Sequence, residues 1–160
     1  MELLALPIDL PADANLILGQ AHFIKTIDDL HDVLQASSPK LRFGIAFCEA
    51  SGPRLVRCSG NDGELVEFAA AIASQIGAGH SFAILLRDGF PVGVLTQIKL
   101  LPTVCNLYCA TANPLEVVLA QTEQGRGILG VIDGASPSGV ELEHDVDDRH
   151  ALLRRLGYSR

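Results

Sequence analysis

The 160-residue chain contains no run of about 18 consecutive apolar residues, so a membrane-spanning helix is not expected. Its opening, MELLALPIDLP, lacks the basic flank and long apolar core of a secretory signal. Positive charge is scarce: 12 Lys and Arg stand against 19 Asp and Glu, a net charge of −7. Nucleic acid, which normally meets a basic face, is therefore not an expected partner. The four cysteines, Cys48, Cys58, Cys105 and Cys109, lie in apolar segments and form no CxxC pair. Such spacing fits neither a secreted disulfide framework nor a structural zinc site, and it reads as reduced core thiols in a cytoplasmic protein. No GxxxxGK[ST] occurs, which excludes a P-loop. The GAGH at 77–80 follows a helical pattern and precedes a strand, the reverse of a dinucleotide fingerprint.

What is present is 48% hydrophobic residues, enough for one core and one domain spanning 1–160. Strand-like runs occupy 2–10 and 15–24, joined by the turn PADA. Thr26, with Asp29 three residues on, reads as the N-cap of a helix on Ile27, Leu30, Val33 and Leu34 that stops near Ser38 and Pro39. LRFGIAFCEA and RLVRCS flank SGP and form a hairpin pattern. Leu65, Phe68, Ile72 and Ile76 then recur at helical spacing, with Gly77 as the C-cap. HSFAILLRD is a strand, FPVGVLTQIK a short helix opened by Pro91, and VCNLYCATANP a strand. Two strands follow around EQGR, and the last helix, DVDDRHALLRRLGY, begins acidic and ends basic as the helix dipole favours. The order ββαββαβαβββα predicts an α+β fold with helices packed on a mixed sheet.

Strand parity directs attention to FCEASG at 47–52. Leu41, Phe43, Ile45, Phe47 and Glu49 share one face, and Gly44, Ala46 and Cys48 form a thin opposite face. A four-residue loop from Ala50 to Pro53 would pair Glu49 with Arg54 and set Arg57 opposite Ala46, a register that a one-residue slip reverses. The thin face leaves room for either a ligand or a closely packed helix. Glu49 could serve as general base, magnesium ligand or ion-paired structural group. Cys48 could be a nucleophile only if His22 or His80 approached it; a packed thiol is the plainer reading.

Other polar residues also stand at strand ends: His22, Lys25, His80, Asn113, Arg126 and Asp133. Each alone is a loop or capping residue, but together they suggest strand ends converging on a small-molecule site. Lys25, Arg57, Lys99 and Arg126 are isolated cations, several beside glycines whose amides could approach an anion.

The peptides GQAHFIKT, FGIAFCEASG, LVRCSGND, GAGHSF, CATANP, GRGILGVIDG and LRRLGY, in this order and across nearly the whole chain, resemble the adenosine-specific kinase family. The resemblance implies a cytoplasmic α+β homo-oligomer, a trimer or hexamer, that binds adenosine or AMP. The residues matching its polar motifs are His22, Lys25, Glu49, Ser51, Arg57, Asn61, His80, Lys99, Asn113, Arg126 and Asp133. Gly93 and Thr96 stand where the family carries asparagine, and Thr103 where it carries glutamate. If the family's activity is phosphoryl transfer from ATP with Mg²⁺, Glu49 or Asp133 would be base or metal ligand. Lys25, Arg57 and Arg126 would then hold phosphate, Asn113 would read purine or ribose, and His22 and His80 would be further donors. The alternatives are a non-catalytic nucleotide-binding regulator and a structural oligomer.

Overall fold

The computed structural model describes residues 1–158. The elements follow the expected order: β1 (Glu2–Ile8), β2 (Asn15–Ala21), α1 (Thr26–Ser37), β3 (Arg42–Cys48), β4 (Val56–Gly60) and α2 (Gly63–Ile76). After them come β5 (Ser81–Arg87), α3 (Leu95–Lys99), β6 (Val104–Thr111), β7 (Leu115–Gln121), β8 (Arg126–Asp133) and α4 (Glu143–Arg155). Pro91 opens a short 3-10 turn ahead of α3.

The α+β class is observed, with one difference from the expected single mixed sheet. The strands form two antiparallel sheets, β4-β3-β5-β2-β6 and β1-β7-β8. The reason lies in the crossovers. Each of α1, α2 and α3 links two strands that run parallel but are separated by an intervening antiparallel strand, β5, β3 and β2 respectively. Parallel strands therefore never become neighbours within either sheet.

The five-stranded sheet is buried on both faces, which is why β3 and β5 read as nearly continuous apolar runs. On one face Phe43, Ile45, Phe47, Phe82 and Ile84 pack with Leu30 and Leu34 of α1 and Ile98 of α3. On the other, Ala46, Cys48, Ala83 and Leu85 meet Leu65, Ala69 and Ile72 of α2, together with Val117 and Leu119 of the second sheet.

The thin face of β3 is thus taken by a helix. A Cβ on Gly44 would lie 2.2 Å from the carbonyl carbon of Leu65, so the strand and α2 touch backbone to backbone. Asp62 caps this helix by accepting from the Leu65 amide at 3.1 Å, and Gly77, at φ 60°, closes it. Phe68, expected on the apolar stripe, is exposed; Ala69 and Ala73 face the sheet instead, because small side chains permit the close approach. Thr26 is not the N-cap of α1. Its hydroxyl donates back to the Phe23 carbonyl at 2.6 Å, and Lys25 holds the cap position. α4 buries none of its residues and leaves Leu152 and Leu156 exposed.

Gly44→Ala should cost about 1–3 kcal/mol or more in urea unfolding, because backbone rather than a flexible side chain must yield. Gly127→Ala, where nothing lies within 4 Å, should stay within about 0.5 kcal/mol of the parent. Equal effects at the two positions would contradict this packing.

Candidate functional site

Position at the rim follows from the register of the β3–β4 hairpin. Phe47 pairs with Arg57 and Cys48 with Val56, one residue away from the register a four-residue loop would give. Arg54 explains the shift: it adopts φ 53°, its amide donates to the Ser51 carbonyl at 3.3 Å, and it thereby joins the loop instead of the strand. Arg57 accordingly lies across from Phe47 on the α1 face, and not beside Ala46. Ser59, two residues on, faces the same way.

Glu49 shares that face. Its Oε1 accepts from Arg57 Nη2 at 2.8 Å, and its Oε2 accepts from the Leu55 amide at 2.8 Å. The hydrogen bond from Arg57, followed by that from the Leu55 amide, holds the Glu49 carboxyl below its ordinary pKa. Arg57 Nε is buried and has no partner among the described residues. Beside these groups, the ring of His80 stacks on Phe47 at a centroid distance of 5.9 Å. His80 sits at φ 63°, pinned by its amide to the Cys48 carbonyl at 2.8 Å.

Two clefts flank this rim. One, of about 740 Å³, lies between the start of α1 and β4 and is lined by Phe23, Ile24, Lys25, Asp28, Arg57 and Ser59 among others. Phe23 and Ile24 are half exposed there, an apolar pair between two polar residues. Lys25 is paired with Asp29, whose other oxygen accepts from Thr103 Oγ1 at 3.3 Å. Thr103 thus supports Lys25 through Asp29, and a glutamate at 103 would set a second carboxylate against it. The other cleft, of about 830 Å³, runs from Glu49 and Arg54 across the end of α2 to Gly125 and Arg126 at the β7–β8 turn.

The remaining expected residues are distributed unevenly. His22 is on the same rim, its Nε2 within 3.2 Å of the Pro102 carbonyl, and Ser51 is exposed in the hairpin loop. Arg126 lines the second cleft but donates to the Gln75 carbonyl at 2.8 Å and to Gln121, so it caps the end of α2. Asn61 lies at the opposite end of the sheet and bonds Phe43 and Leu41 backbone with both amide atoms. Asn113 and Asp133 are also at that end, bonded to one another at 3.1 Å, with Thr111 donating to the same carboxylate oxygen at 2.7 Å. Lys99 is exposed at the end of α3, the short helix that carries Thr96; Gly93 stands in the turn before it. The structure therefore brings Lys25, Glu49, Arg57, His80 and His22 to one rim, and leaves Asn61, Asn113 and Asp133 at the other.

Cys48 is buried, its Sγ 3.4 Å from the Ala73 carbonyl, and burial raises its pKa. A raised thiol packed beneath α2 is a poor nucleophile. Sequence reasoning passed over Phe23, Ile24, Asp28 and Ser59, whose roles depend on the loop and register that no local pattern carries.

The lowered Glu49 pKa yields a signed expectation. Its contribution to stability is fully present above the unfolded value near 4.5 and is lost as pH falls through the lower folded value. The stability gap between the parent and Glu49→Gln, read by urea unfolding, should be widest near neutrality and close as the medium becomes more acid than about pH 4. A gap independent of pH would contradict the pairing.

The family model described as adenosine specific kinase matches residues 6–159. No curated protein sequence matches the chain. Among solved structures, the crystal structure of the PH1918 protein from Pyrococcus horikoshii OT3 is similar at a TM-score of 0.94 and 39% identity, covering 99% of this chain and 98% of that one. The chain belongs to the adenosine-specific kinase family.

Proposed function

We propose that the protein binds adenosine and AMP in the cleft between β4 and the start of α1. The observation that carries this reading is Arg57: its Nη2 is held by Glu49, its buried Nε has no partner among the described residues, and its partly exposed guanidinium stands on the wall of a cleft that also holds Lys25. Two cations fixed by carboxylates suit a phosphate oxygen cluster. Phe23 offers a ring face for the purine, and Asp28 an acceptor for ribose hydroxyls. The volume of about 740 Å³ falls within the range typical of small-molecule sites, about 300–1,000 Å³.

Phosphoryl transfer from ATP to adenosine is the further activity that the family's description supports. In that reaction Lys25 and Arg57 would stabilise the charge on the transferred group. Glu49, with both oxygens engaged and a lowered pKa, is a weak base and acts by holding Arg57. Among the described residues no three His, Cys, Asp or Glu side chains converge, and Mg²⁺ is commonly held by one or two carboxylates together with the nucleotide's own phosphates. ATP and Mg²⁺ enter this reading as substrates supplied together. The engaged state of Glu49 favours a second reading, a non-catalytic nucleotide-binding regulator.

The homo-oligomer belongs to the same proposal, as a trimer or hexamer. Its support is α4, which buries nothing of its own yet carries Leu152 and Leu156 outward, and β8, which exposes Leu129 and Ile132. Light scattering should give a mass of three or six chains for the parent and a smaller one for a Leu152→Glu, Leu156→Glu variant; a monomeric parent would contradict it.

Calorimetric titration with adenosine, AMP, ADP and ATP tests the binding site. Arg57→Ala should weaken AMP about 10–100-fold and adenosine much less, the value of hydrogen bonds to a charged group. Equal loss for both ligands would remove Arg57 from the phosphate. An assay for AMP formation from adenosine, ATP and Mg²⁺ separates the two readings, since binding without turnover leaves only the regulator.

A further inference from the structure

His31 and Ser59 form a pair that the reading above does not use. His31 Nδ1 lies 2.7 Å from Ser59 Oγ, a contact between α1 and β4 separated by 28 positions in sequence. The imidazole is fixed from behind by Phe43, whose ring meets it edge-on at 5.2 Å. Ser59 lines the same cleft as Lys25 and Arg57, and it lies two residues from Arg57 on one strand face, about 7 Å along the chain. A serine on the wall of a cleft, with its hydroxyl engaged by a partly buried histidine, is oriented by design of the packing and not free to rotate toward solvent.

That orientation has a chemical consequence. In the tautomer that carries the ring proton on Nε2, Nδ1 accepts from Ser59, and Oγ on the cleft wall is left as an acceptor for a ligand. The hydroxyl then selects a ligand group that donates. Lys25 and Arg57 next to it select an anion, and the two requirements are adjacent in a nucleoside and its monophosphate: the 5′ oxygen is a hydroxyl in the first and carries the phosphate in the second.

We propose that Ser59 accepts a hydrogen bond from the 5′-hydroxyl of adenosine, and that His31 is the positioning residue that holds Ser59 in this role. The inference rests on the reading of this cleft as the adenosine and AMP site. Ser59 then supports the nucleoside, the cations support the nucleotide, and the cleft distinguishes the two by which wall the 5′ position engages.

The test is titration of adenosine, 5′-deoxyadenosine and AMP into the full chain and into Ser59→Ala, Ser59→Thr and His31→Gln. Ser59→Ala should weaken adenosine about 3–10-fold, the range for one neutral hydrogen bond, and leave 5′-deoxyadenosine unchanged. Ser59→Thr, which keeps the hydroxyl, should restore adenosine binding. His31→Gln should reproduce the selective loss, and in ¹⁵N-histidine-labelled protein the His31 ring signals should shift on adding adenosine and cease to respond in Ser59→Ala. A merely structural pair would weaken all three ligands together and leave the ring signals insensitive to adenosine. Equal loss of adenosine and 5′-deoxyadenosine in Ser59→Ala, or no loss, overturns this inference while parent binding and the Arg57→Ala selectivity leave the site itself standing. If the parent binds none of the three, the site and the inference both fall.

Discussion

Between Cys48 and Val56 the β3–β4 hairpin is held in a register that pairs Phe47 with Arg57, and the direction of the β4 side chains at the rim follows from it. A single residue decides the matter. Arg54 turns into the left-handed region, joins the loop, and sends Arg57 and Ser59 toward α1. Had it stayed in the strand, both would face α2, where the Gly44–Leu65 approach leaves no room for them. Close packing on one face of β3 and the open cleft on the other are therefore two results of the same alternation of small and large residues.

The electrostatics build on that placement. In a chain with a net charge of −7, an isolated cation is readily neutralised, and both Lys25 and Arg57 carry a carboxylate partner, Asp29 and Glu49. Pairing fixes where the cations point and removes the entropy that a ligand would otherwise have to overcome. Among the described residues Arg57 Nε has no partner despite the ion pair, which separates Arg57 from Arg126, whose guanidinium is committed to the carbonyls ending α2. The two arginines, both isolated cations in the sequence, differ in these partners.

Much of the fold was legible from local pattern. The helical spacing of Leu65, Ile72 and Ile76 with Gly77 behind them, and the parity of Phe43, Ile45 and Phe47, each encode a packing face directly. The order of elements followed from punctuation by glycine and proline. Less legible was how strands pair at a distance: the crossovers skip one strand each, and nothing in a βα alternation reveals that. The site was legible as a set of residue types but not as a place. Asn61, Asn113 and Asp133 resemble Glu49 and His80 in ending strands, yet antiparallel pairing carries them to the opposite rim. Phe23 and Ile24 read as the tail of β2, whereas the chain leaves the sheet at Ala21 and presents them at the cleft.

On the proposed reading the nucleotide phosphate rests on Arg57 and Lys25 between β4 and α1. A crystal structure of the AMP complex tests it most directly. Phosphate oxygens are expected within hydrogen-bond distance of the Arg57 guanidinium and Lys25 Nζ, with the purine against Phe23. AMP seated in the cleft between Arg54 and Gly125, or beside Asn113 and Asp133, would contradict it.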